Sequence, residues 1–175
     1  MSDAVVPTRR VLLFGNAALG LALRAPLAAC AVEIDVADWT DDSSAGLSDF
    51  VRERFKSSAE PLDLVVCDCG DEGGLRRGFF VSRDAGDRRV ALLVLGESAE
   101  SGPVATLVAG IRKARPTSRV AIITDRVGED VRLSGSAGRA AWTPESLATA
   151  LIDLIEARDW HPGAVVRLKD ASAGA

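Results

Sequence analysis

Five short apolar runs, separated by helix-like or polar stretches, restrict what this chain can fold into more than any other feature. They are Val11-Leu12-Leu13-Phe14, Val32 to Val36, Leu62 to Cys67, Val90 to Leu95 and Val120 to Ile123, with Arg139 to Trp142 a weaker sixth. The third, fourth and fifth are nearly continuous in apolar residues. That is the pattern of strands covered on both faces by helices, as in a parallel sheet. Between the runs, Val104, Leu107, Val108 and Ile111 fall at i, i+3, i+4 and i+7, and Arg112, Lys113 and Arg115 close that helix before Pro116. Leu47, Phe50, Val51 and Phe55 mark a helix between the second and third runs. A last helix is N-capped by Thr143, has Pro144 at its first position and stops at His161-Pro162-Gly163. The first helix, from about Ala17, is weakened by Gly20 and expected to end or kink at Pro26. Strands alternating with helices predict a doubly wound three-layer α/β sandwich with a five- or six-stranded, mainly parallel sheet.

The 175 residues make about one domain, expected over 1–163, with 164–175 as a C-terminal tail. A hydrophobic fraction of 47% against 26% charged residues excludes disorder as the overall state. A formal charge of −4 argues against direct nucleic-acid binding, which needs a basic footprint. No apolar run is long enough to span a membrane, and Met1 to Pro7 lacks the pattern of a signal peptide. Cys30, Cys67 and Cys69 are a sparse, odd set, which reads as reduced thiols in a cytoplasmic protein. One stretch departs from the alternating pattern. Gly70 to Arg89 carries four glycines after Gly70 itself among its arginines, and is expected to be partly irregular with one short helix.

In open parallel sheets, ligands bind beyond the carboxyl ends of the strands, near the switch in strand order. Asn16, Asp38, Asp68, Glu97 and Asp125 stand at or just past five such ends. Converging carboxylates there could hold Mg²⁺, which takes oxygen ligands. The favoured reading is simpler: these residues cap the helices that follow.

The segments Arg10 to Asn16, Leu19 to Leu27 and Val32 to Asp38 resemble the first strand, helix and second strand of response-regulator receiver domains. Leu62 to Asp68 resembles their third strand, Leu107 to Asp125 a receiver helix and its following strand, and Trp142 to Leu147 the start of the last helix. The resemblance spans most of residues 9–158. It implies a flavodoxin-like receiver fold, with Asp68 as the phosphoacceptor and Thr124 as the hydroxyl that contacts the phosphoryl group. Asp68 to Thr124 is longer than the family's usual separation. Either Val90 to Leu95 is an extra strand, or Glu97-Ser98 takes the hydroxyl position. The family's Mg²⁺-binding acid pair is replaced by Gly15-Asn16, and neither Asp125-Arg126 nor Ala141-Trp142 supplies its lysine. Phosphoryl transfer needs cations to neutralise developing charge. The resemblance is therefore to a degenerate receiver, a pseudo-receiver.

Other constellations are weaker. Gly15-Asn16-Ala17-Ala18-Leu19-Gly20 follows a strand and opens a helix, but its glycines do not complete G-x-G-x-x-G and no P-loop lysine follows. A plain strand-to-helix turn is the favoured reading. Gly96-Glu97-Ser98 lacks the second glycine of a nucleophile elbow, and only His161 is available as a base. Cys67 and Cys69 share one face of their strand and read as buried small hydrophobes. Phe79-Phe80 among Arg76, Arg77 and Arg83 has the aromatic-plus-arginine composition of an interface, for a protein partner or a second copy.

These readings converge on a non-catalytic signalling and protein-interaction module of pseudo-receiver type. Any residual phosphoacceptor chemistry would use Asp68, with Thr124 or Ser98 as phosphoryl contact and Asp38, Asp41 or Asp71 as makeshift Mg²⁺ ligands beside Asp68. The contrasting reading is a small Mg²⁺-dependent enzyme acting on a phosphorylated substrate at the same acidic edge.

Overall fold

The computed structural model describes residues 8–38, 44–58, 60–70, 73–95, 102–124, 143–158, 160 and 164–167. Strands β1 (Arg9–Gly15), β2 (Val32–Asp38), β3 (Leu64–Asp68), β4 (Arg89–Val94), β5 (Arg119–Thr124) and β6 (Ala164–Arg167) alternate with helices α1 (Ala17–Ala28), α2 (Ser44–Ser57), α3 (Gly74–Asp84), α4 (Gly102–Ala114) and α5 (Pro144–Glu156). The strands form one sheet in the order β2-β1-β3-β4-β5-β6, every pair parallel. This is the flavodoxin-like doubly wound α/β fold with one strand added.

Strand periodicity divides the core. Val11, Leu13, Val66, Leu93 and Ile123 pack on one face beneath α1 and α5. Leu12, Phe14, Val65, Leu92 and Ile122 pack on the other beneath α2, α3 and α4. Both faces are covered, which is why the central runs carry no alternation of polar residues. Phe14 is fully buried and meets the rings of Phe50 and Phe55 edge-on, at 6.4 and 5.4 Å between centroids. At α5, Thr143 and Ser146 form a reciprocal capping box. The opposite end of α5 is closed by Arg89, whose guanidinium donates to the carbonyls of Leu154 and Ile155 at 3.1 Å and lies over the Trp160 ring.

Three expectations change. Helix α1 runs through Pro26 to Ala28 instead of ending there. Proline removes the one bond that its N–H would donate to the Ala22 carbonyl, and the fully buried Leu23 and Leu27 hold that turn on the sheet despite the loss. The stretch Gly70 to Arg89 is built around an ordinary eleven-residue helix, α3. Its glycines serve close packing: a Cβ on Gly74 would lie 2.4 Å from the Cys69 backbone, and one on Gly78 2.8 Å from the Cys69 sulfur. Lastly, the expected tail begins inside the sheet, because Ala164–Arg167 pairs with Ala121–Thr124 as β6. The weaker sixth candidate, Arg139 to Trp142, lies outside the described residues.

The step to β6 differs from the others. β3-α3-β4 and β4-α4-β5 cross the sheet in the same direction with their helices on the α2 face. β5-α5-β6 continues in that direction with its helix on the α1 face. It therefore has the opposite hand, an exception to the rule for parallel crossovers.

Candidate functional site

The sheet order reverses between β1 and β3, whose following helices leave toward opposite faces. A crevice opens at such a point. Here it is a cleft of about 650 Å³, lined by Gly15 to Leu19 and Ala22 of the β1–α1 turn and helix, by Asp38, by Asp68 and Gly70, and by Arg77 and Leu95.

Each wall follows from local structure. Gly15 ends β1 in register with Asp38 at the end of β2. Asn16 is extended and N-caps α1, its side-chain oxygen accepting from the Ala18 N–H at 2.7 Å. The first turn of α1 holds no acidic residue, so the positive end of the helix dipole faces the cleft without a carboxylate of its own. On the β3 side, the half-buried Asp68 accepts from the Gly70 N–H at 3.0 Å. Arg77, only 5% exposed, points its guanidinium to the main-chain carbonyl of Asp68 at 3.4 Å. A buried cation thus stands beside Asp68.

Thr124 is not brought to Asp68. It ends β5, and β4 lies between β5 and β3. Two strand spacings separate them by about 10 Å. Val90 to Leu95 therefore supplies β4, beside β3, and the separation of Asp68 from Thr124 reflects that strand. Asp38 and Asp68 line one cleft, but no three acidic, cysteine or histidine side chains among the described residues are grouped to hold a metal. Ser98, Asp71, Asp41, Glu97, Asp125 and His161 lie outside the described residues.

No family model matches this chain, and no curated protein matches it. Among solved structures, the chain is similar to a fusion of the yeast Spc42 trimeric coiled coil to another structure, at 16% identity over 83% of this chain and 81% of that one. The TM-score is 0.41, and the likeness carries no argument.

The Phe79-Phe80 surface is not one patch. Phe79 and Phe80 meet edge-on at 5.9 Å and both pack against the core beneath α3. Arg83 lies over the Phe80 ring at 4.8 Å and bonds to Asp84 and Ser48, while Arg115 donates to its carbonyl. Arg77 turns away into the cleft, which leaves Arg76 exposed on α3. The sequence placed Arg77 with the wrong neighbours because composition does not give helix phase. Its signal was there: Gly74, Gly78, Val81 and Ser82, the small and apolar residues at helical spacing, face inward from α3, and Arg77 falls among them.

Cys67 and Cys69 are buried, as expected of small hydrophobes. The hydrogen bond with Cys67, together with burial, pushes the Cys69 thiol well above the ordinary range. A thiol so held is a poor nucleophile. Among the described residues, no helix is long and apolar enough to cross a membrane.

Proposed function

We propose that this chain is a signalling module of receiver type that acts through a protein partner and does not use the usual aspartyl phosphorylation. The observation that carries the reading is the contact between Gly15 and Asp68. Asp68 ends β3 at the switch point, where the receiver resemblance implies the phosphoacceptor. The neighbouring acid-pair position is closed: a Cβ on Gly15 would lie 2.8 Å from the Asp68 Cβ. An acidic side chain at position 15 cannot stand beside Asp68 without displacing it, and Asn16 is committed to capping α1. Arg77 supplies positive charge in a different place from the family's lysine.

The test is an amide NMR titration with Mg²⁺ followed by beryllofluoride as a phosphoryl mimic. The expected result is no response to either around Asp68. Shifts centred on Asp68 and lost in Asp68→Asn would overturn the reading in favour of a working receiver. A response to Mg²⁺ alone would overturn it in favour of the second reading, a Mg²⁺-dependent enzyme on a phosphorylated substrate. That second reading is supported by the size of the cleft and by two carboxylates and an arginine lining it.

A further inference from the structure

We propose that two copies of this chain associate by exchanging β6, so that the last strand of each copy completes the sheet of the other along β5. The inference is independent of the signalling reading and survives its failure. It rests on the hand of the β5-α5-β6 connection, on how little else holds β6, and on the character of the edge that β6 covers.

About 98% of parallel crossovers are right-handed, because a right-twisted strand feeding a helix packs back onto its sheet only that way. The connection through α5 has the opposite hand, with α5 held on the α1 face by the buried Leu147, Leu151 and Leu154. The rule governs strands that one chain joins within one sheet. When β6 enters the sheet of a second copy, β5 and β6 of the same chain no longer share a sheet, and the unfavourable hand disappears. Every main-chain bond of the β5–β6 ladder is kept, since the incoming strand has the same sequence.

The attachment of β6 also favours exchange. Its four residues meet the rest of the described chain chiefly through β5. The chain just before it is anchored elsewhere. Trp160 donates from Nε1 to the Leu154 carbonyl at 3.0 Å, and Arg89 at the start of β4 lies over its ring at 5.4 Å. Only His161, Pro162 and Gly163 separate that anchor from Ala164. Short hinges of this kind invite swapping, and lengthening them suppresses it.

The two edges of the sheet are protected in different ways. β2 carries the exposed Glu33 and Asp35, charges that discourage pairing with another strand. β5 has no charge after Arg119, and Val120 to Thr124 are all buried. Without β6 it would be an apolar edge open to an added strand. The occupant that fits is the one whose register is already defined, Ala164 to Arg167 against Ala121 to Thr124.

Light scattering on the full chain tests the association, and cross-linking tests the exchange. The expected mass is twice the 18.3 kDa of one chain. Inserting Gly-Ser-Gly-Ser after Gly163 should let β6 close on its own β5 and return the mass to that of one chain. Ala121 and Ala164 are register partners, about 4.8 Å apart across the ladder, a separation that a disulfide spans. In a Cys30→Ser background, which removes the exposed thiol, Ala121→Cys and Ala164→Cys copies are refolded together and oxidised. Exchange gives a disulfide-linked pair of one copy of each variant on a non-reducing gel. A single-chain mass at every concentration up to millimolar would overturn the proposal. So would a dimer that persists with the lengthened connection, or the absence of a cross-link between variants whose circular dichroism spectra match wild type. If the buried Ala121→Cys change prevents folding, the insertion, which leaves the core untouched, still decides. None of these outcomes depends on Mg²⁺ or beryllofluoride, so the two proposals fail separately.

Discussion

Gly15 and Asp68 meet across the β1–β3 pair with no room for a β-carbon on the glycine, which would lie 2.8 Å from the Asp68 Cβ. This contact decides the chemistry of the cleft, because it places Asp68 over the turn into α1 and keeps any second carboxylate out of position 15. Gly15→Ala should destabilise the protein by about 1–3 kcal/mol through overpacking. In a urea-denaturation cycle with Asp68→Gly, which removes the opposing carbon, the two changes should be coupled by about 0.5–3 kcal/mol. Additive single-site effects would show that the contact is relaxed in solution.

Gly20 should behave in the same way against β2. Alanine is the better helix former by about 1 kcal/mol, so an unhindered Gly20→Ala change would stabilise α1. With Val36 in the way it should instead lower the denaturation midpoint, and Val36→Ala should restore much of the loss. If Gly20→Ala alone raised the midpoint, the close approach of α1 to β2 would be wrong.

Ala31 offers the opposite case. It turns the chain from α1 into β2 with φ 58°, in the left-handed region, and is exposed. A β-carbon there costs about 1–2 kcal/mol that glycine does not incur, partly offset by the greater freedom of glycine in the unfolded chain. Ala31→Gly is expected to raise the melting temperature by a few degrees, as differential scanning calorimetry would read it. A fall in melting temperature would contradict the backbone conformation of this turn.

A small acid-labile contribution is expected from Glu60. The hydrogen bond from Arg88, more than any other cause, holds its carboxyl below the usual range. A folded-state pKa below the unfolded one adds stability that is complete above the unfolded pKa and is lost as pH falls through the folded one. The side chain is 51% exposed, so solvent screening limits the effect to about 1 kcal/mol or less. Wild type should exceed Glu60→Gln slightly at pH 7, and the gap should close as the pH drops below the ordinary glutamate range. A gap unchanged in acid would assign the difference to something other than the ion pair.

The chain alone determined the layered architecture. Nearly continuous apolar runs such as Leu64 to Cys67 and Val90 to Val94, short, β-branched and alternating with helical segments, are the pattern of strands covered on both sides, and Thr143-Pro144 fixes the start of α5. Period and capping are local properties, so they are legible without coordinates. Packing distance and strand order are not. Gly20 and Gly74 look like weak points in a helix until Val36 and the Cys69 backbone stand against them. Thr124 looks like a partner for Asp68 until β4 is found between their strands. Arg77 belongs by composition to a surface patch, and the rotation of α3 buries it beside Asp68. Ala164–Arg167 carries too short a pattern to declare itself a strand, and only the free edge of β5 made it one. Which residues share the cleft depended on contacts between segments far apart in the chain, and those only the tertiary structure decided.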